Sequence, residues 1–136
     1  MFKRYFIVFL SVAFMLSLYF TVNKPLFSDY ADRYELYLKE NSSVAEIVNA
    51  DNYSFPFYVS VKGEACVVKC GDEKEIIGDF NAEIIFTEET DDAVIIYAYS
   101  KKIHYEKIVS GKKVNLQIAK RNDVIKVGSP LIYGSF

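Results

Sequence analysis

Residues 114–120 read VNLQIAK, and this alternation of apolar and polar side chains decides the fold class of the chain. In an extended strand, successive side chains point to opposite faces of the sheet. One face of this strand therefore carries Val114, Leu116 and Ile118. The other face carries Asn115 and Gln117, and Ala119 ends that row. One apolar face and one polar face predict an antiparallel sheet with a buried side and a largely solvated side.

The residues around this strand continue the β pattern, with turn residues at regular intervals. The predicted strands of the C-terminal half are 83–87, 93–99, 103–109, 114–120 and 124–127. The acidic loop 88–92 joins the first two, and turns at 110–112 and 121–123 make a meander of the last three.

The first half of the domain has a weaker pattern. A strand is predicted from Tyr34, although residues 27–38 also have helical spacing, so both conformations stay open. A hairpin is predicted for two strands, 57–61 and 65–70, that flank the turn Lys62-Gly63-Glu64. One short helix is predicted over 72–79, with Asp72 as its cap.

The N-terminus carries an uncharged stretch over residues 5–23, YFIVFLSVAFMLSLYFTVN. As a helix it would span about 28 Å, close to the ~30 Å hydrocarbon thickness of a bilayer. The stretch is longer than the core of a signal peptide and ends in bulky residues rather than a small-residue cleavage site. A retained anchor is therefore predicted, with a cleaved signal peptide and a buried soluble helix as alternatives.

Charges around this stretch predict its orientation. Lys3, Arg4 and the terminal amine outweigh Lys24, which places the N-terminus in the cytoplasm and the domain outside. The predicted organisation is an anchor at 1–23, a tether at 24–33 and an extracytoplasmic β-rich domain at 34–136. The predicted fold is thus one N-terminal transmembrane helix followed by a small, mainly antiparallel β domain with one short helix, mainly β or α+β.

The net charge of −2 conceals a division along the chain. Residues 29–100 contain 16 acidic and 5 basic residues, whereas residues 101–136 contain 8 basic and 2 acidic ones. The basic residues at the predicted turns form a possible contact for anionic lipid headgroups or polymers. They are Lys101, Lys102, Lys112, Lys113, Lys120 and Arg121. The alternative is that they are solubilising turn charges that complement the acidic half.

The residues with potential chemistry form no recognisable motif. If 65–70 is a strand, the Cα atoms of Cys66 and Cys70 lie about 13 Å apart, and a disulfide needs less than about 7 Å. Two free thiols are therefore predicted, with a disulfide or a metal or redox role as alternatives. His104 has no assignable nucleophile or orienting partner, and loop 88–92 lacks the spacing of a calcium loop. No catalytic, cofactor-binding or metal-binding residue is predicted, and no cofactor.

The basic start and long apolar stretch are similar to those of pilin-like proteins, but the pattern departs from theirs. No Gly precedes a processing point, no Glu lies early in the apolar stretch, and Pro25 interrupts the helix. The predicted function is a non-enzymatic, membrane-tethered binding or scaffold module of the cell envelope. The alternatives are a pilin-like or other assembly subunit, and an enzyme whose site one sequence does not reveal. Its expected partners are the membrane through residues 5–23 and an envelope protein or anionic polymer, not nucleic acid.

Overall fold

A computed structural model of the chain describes residues 1–22, 25–39, 45–49, 61–69 and 71–134. Two helices are described, α1 (Phe2–Val22) and α2 (Glu73–Asp79). The described strands are β1 (Arg33–Tyr37), β2 (Glu46–Asn49), β3 (Gly63–Val67), β4 (Glu83–Glu89), β5 (Val94–Tyr99), β6 (Lys107–Val109), β7 (Lys112–Val114), β8 (Leu116–Arg121) and β9 (Val124–Ser129).

Seven of these strands form one sheet in the order β2-β1-β3-β9-β8-β5-β4. Each neighbouring pair is antiparallel. Strands β6 and β7 form a separate hairpin. The prediction of a β-rich domain is therefore confirmed.

The hydrophobic core lies on one face of the sheet, which we call the inner face. Side chains of α2 and of segment 25–31 pack there against the central strands. The core cluster comprises Phe27, Tyr30, Ala31, Tyr34, Cys66, Ile76, Ala98, Ile103, Leu116, Ile118, Ile125 and Val127. Segment 25–31, which the sequence assigns to a tether, thus supplies three core side chains.

Helix α2 forms where the sequence predicts it. The side chain of Asp72 accepts a hydrogen bond from the backbone N–H of Glu75 at 2.7 Å, which caps the helix. Ile76 is the buried residue of the helix. The phenol of Tyr30 donates to the carboxylate of Asp79, which ties segment 25–31 to the end of α2.

The opposite, outer face of the sheet is partly covered by the C-terminal segment 130–134, which we call the tail. The backbone N–H of Ile132 donates to Oε1 of Gln117 at 2.7 Å. A Cβ atom on Gly128 would lie 2.7 Å from the side chain of Ile132, and one on Gly63 would lie 2.9 Å from the ring of Tyr133. Glycine in these strands therefore allows the tail to approach the backbone closely.

Three predictions about the strands are wrong. Residues 103–109 do not form a meander with the two strands that follow, because only Lys107–Val109 is a strand and it pairs with β7 in the separate hairpin. Gly63 and Glu64 do not form a turn but belong to β3 and pair with Tyr37 and Leu36 of β1. Asn115 and Gln117 are not solvated but buried. The tail covers Gln117, and Asn115 lies between β7 and β8, where its amide binds the 100–103 turn. Residues 57–60 of the predicted strand 57–61 lie outside the described residues.

The prediction of a transmembrane helix, and with it of a single-pass membrane protein whose domain is extracytoplasmic, is wrong. Within the described residues, no helix has the length and apolar character needed to cross a membrane. The described side chains of α1 run from Phe2 to Ser17 and include the charged residues Lys3 and Arg4.

Candidate functional site

The six basic residues predicted to contact an anionic surface are mostly engaged within the domain. Lys113 pairs with Glu106 at 3.0 Å, Lys120 with Glu73 at 3.1 Å, and Arg121 with Asp92 at 2.5 Å. The ammonium of Lys102 donates to the carbonyl of Asp79 at 2.8 Å. Two of the partners, Glu73 and Asp92, are carboxylates of the acidic half, so the two halves of the charge pattern meet in the folded domain.

These residues also lie at two separate ends of the sheet. Lys120 pairs with Val94 at the start of β5, whereas Lys101 follows the end of that strand. Seven residues at ~3.3 Å each put about 23 Å between them. Lys112 and Lys113 lie on β7, at the same end of β5 as Lys101. The backbone N–H of Asn115, which follows β7, donates to the carbonyl of Ala98 near that end. An anionic contact through these residues stays a prediction, and a compact ligand would meet one group or the other.

A second group of ionisable residues surrounds the buried carboxyl of Glu64. Glu64 is only 3% exposed. Its oxygens accept hydrogen bonds from the Leu26 N–H at 3.5 Å and from the Tyr105 hydroxyl at 3.4 Å. Burial raises the pKa of Glu64 to about 7, and the two hydrogen bonds oppose that shift. The ring of His104 lies 4.1 Å from the Tyr105 ring and is exposed.

This group does not have the geometry of a catalytic site. His104 borders a shallow hollow of about 320 Å³ with Glu106 and Lys107, whereas Glu64 lies on the inner face behind Tyr105. No described hydrogen bond joins the imidazole to a carboxylate or hydroxyl. The described residues thus do not bring together the nucleophile, base and orienting group that hydrolytic catalysis needs.

The thiol of Cys66 is buried and free, as predicted, while Cys70 lies outside the described residues. Burial, together with the nearby carboxylates of Glu64 and Glu35, raises the pKa of Cys66 to about 12. A protonated thiol is a poor nucleophile and metal ligand. Over the described part of the chain, no three His, Cys, Asp or Glu side chains are grouped so that they could hold a metal ion.

The outer face carries a groove beside the tail, made of two hollows of about 630 and 400 Å³ that share Glu35 and Val67. Apolar residues Ile47, Val67 and Val124 are about half exposed along it. Within it, Lys126 forms an ion pair with Glu35 in which the ammonium lies 2.8 Å from both carboxylate oxygens. Sequence reasoning missed this pair, because the two residues are 91 positions apart.

The largest exposed apolar surface belongs to α1. Every described side chain of this helix, from Phe2 through Ser17, is exposed, so this part of the helix does not pack on the sheet. The hydroxyls of Ser11 and Ser17 donate to the helix's own carbonyls, those of Ile7 at 2.9 Å and Phe14 at 2.8 Å. Beyond Arg4, the described surface of α1 therefore offers apolar contacts on all sides.

Comparison with known protein families, curated proteins and solved structures found no match to this chain.

Proposed function

We propose that the chain is a non-enzymatic binding or scaffold module in which α1 attaches the molecule to an apolar partner surface and the β domain is displayed beside it. The observation that carries this proposal is that the β domain has a packed core whereas the described side chains of α1 are exposed. The described core runs from Phe27 to Val127 and includes no residue of α1. The helix therefore adds a large apolar surface without adding to the core.

The size of that surface supports a binding role. Phe6, Phe9 and Phe14 are each more than half exposed, as are Ile7, Val8 and Leu10. Full burial of one such side chain contributes about 1.5–3 kcal/mol. Exposed apolar surfaces larger than a few hundred Å² generally mark interaction sites. A helix that is apolar all round is normally covered in its working state.

The β domain fits the role of a displayed module. Three of its six basic turn residues pair with acidic residues of the same chain, and its outer face carries a groove that combines apolar and charged residues. Such a surface supports contact with another macromolecule better than it supports a reaction. The proposal does not depend on any ligand of this groove.

The test compares the full chain with a chain of residues 25–136 in extracts of cells that express each at the same level. We expect the full chain to elute in complexes larger than its own 15.6 kDa, and the shorter chain to elute as a monomer. The two elution profiles together decide the proposal. Equal elution as monomers, or equal retention of both chains in complexes, would contradict a docking role for α1.

A further inference from the structure

We propose that the partner of α1 is the α1 helix of a second copy of this chain, packed along a seam formed by Phe2, Tyr5, Phe9, Val12 and Leu16. This inference rests on the proposed function and names the partner of the same surface. The seam residues follow one another at intervals of three, four, three and four. That spacing is the one that lets two helices pack along their whole length.

The positions of the polar residues of α1 distinguish this seam from the other apolar faces of the helix. At 3.6 residues per turn, the seam covers about 80° of the helix surface. Lys3, Arg4 and Ser11 project from the opposite side of the same helix. Two copies that meet at the seam therefore keep their four N-terminal side-chain charges apart and in water.

The composition of the seam favours a copy of the same helix as its occupant. It carries no charge and no side-chain hydrogen-bonding group that must be matched, apart from the phenol of Tyr5 near its solvent-accessible start. A symmetric interface places the same patch on both partners. A patch that is apolar throughout and spaced for helix packing is complementary to itself.

The area is sufficient for a specific pair. An aromatic side chain can bury about 150–250 Å², and the seam holds three of them, which are 89%, 69% and 71% exposed. Val12 and Leu16 are half exposed and add to this area. Scaled by those exposed fractions, the three aromatic side chains offer roughly 340–570 Å². With Val12 and Leu16 the seam reaches the roughly 500 Å² per partner that a specific interface requires.

Phe9 and Phe14 provide a matched test, because they are the same residue type, are 71% and 64% exposed, and lie on different sides of the helix. Each is replaced in the full chain by the photocrosslinking analogue p-benzoyl-phenylalanine, and living cells are irradiated. We expect several-fold more crosslinked dimer from position 9 than from position 14. Mass spectrometry should map the crosslink to α1 of the second copy.

The outcomes separate this inference from the proposed function. Crosslinks from position 9 to a different protein would overturn the second copy as partner and leave the docking role of α1 standing. Equal dimer yields from both positions would overturn the seam. No crosslink to protein from either position would overturn both proposals.

As a second measurement, Phe9→Lys should lower the mass of the full-length complex to that of the monomer, whereas Phe14→Lys should leave it unchanged.

Discussion

Lys126 and Glu35 form a bidentate ion pair on the outer face of the sheet, with only 6% of the lysine side chain and 26% of the glutamate side chain exposed. The phenol of Tyr37 also donates to Glu35, and the tail passes beside the pair at Gly134. The pair thus joins β1 to β9 across β3, in the part of the groove that the tail borders. Because both charged groups are largely buried, each needs the opposite charge of the other to offset its loss of hydration.

Removal of one member of this pair should destabilise the domain. In Lys126→Met, the Glu35 carboxylate stays partly buried without its cation, and we expect a loss of about 3 kcal/mol in the free energy of unfolding. Chemical denaturation of the variant measures this loss. The matched control is Lys69→Met, which removes the exposed pair with Asp32 and should cost less than about 1 kcal/mol. Equal losses in the two variants would show that burial does not govern the Lys126 pair.

The buried carboxyl of Glu64 should make stability depend on pH. Its pKa is raised from an ordinary 4.5 to about 7. Between these values the folded chain holds a proton that the unfolded chain has released, so stability falls as pH rises through this range. The fall should be on the order of 3 kcal/mol. Denaturation below and above this range measures it.

Glu64→Gln should remove most of this pH dependence, since the amide does not titrate. Glu83→Gln, which changes an exposed carboxyl on β4, provides the control and should retain it. If Glu64→Gln keeps the full dependence, another group must be responsible for it.

Asn115 should be among the residues least tolerant of substitution. Its side chain is 1% exposed. The Oδ1 atom accepts from the Ser100 N–H at 2.7 Å, and Nδ2 donates to the carbonyls of Ser100 and Ile103. Asn115→Leu leaves these buried groups without partners and should cost about 3 kcal/mol or more. A thermal or chemical unfolding curve that matches the wild type would refute this account of the β7–β8 junction.

The basic residues should differ in their contribution to anion binding according to the end of the sheet on which they lie. The Lys120→Glu/Arg121→Glu variant changes residues that are already paired with Glu73 and Asp92, so binding to anionic vesicles should change little. The Lys101→Glu/Lys112→Glu variant should weaken any salt-sensitive binding, because both lysines are exposed at the other end. Co-sedimentation at low and high salt compares them. A larger effect from the Lys120 and Arg121 changes would reverse this assignment.

The sequence predicts the C-terminal strands because their periodicity is local. Residues 83–87 and 93–99 are rich in strand-forming side chains and are joined by an acidic loop. The structure has β4 and β5 there. The cap of α2 is equally local, since Asp72 and Glu75 are three residues apart. Patterns of this kind do not depend on what packs on the sheet.

The burial of the outer face could not be predicted from the strands themselves, because it depends on the tail. Gln117 and Lys126 are polar, and alternation alone assigns them to water, but the last described residues fold back over them. Gly63 offered the one signal. A glycine inside a strand often marks a close approach of another backbone, whereas the Lys-Gly-Glu sequence was interpreted as a turn.

The central claim is that α1 serves contacts with a partner and not the fold of the β domain. The most direct measurement is the free energy of unfolding of the β domain in the chain of residues 25–136, compared with that in the full chain. The account predicts agreement within about 0.5 kcal/mol, the range of surface changes that touch no packed feature, because the described core begins at Phe27. A loss of several kcal/mol on removal of α1 would show that the helix belongs to the fold, and would contradict the account.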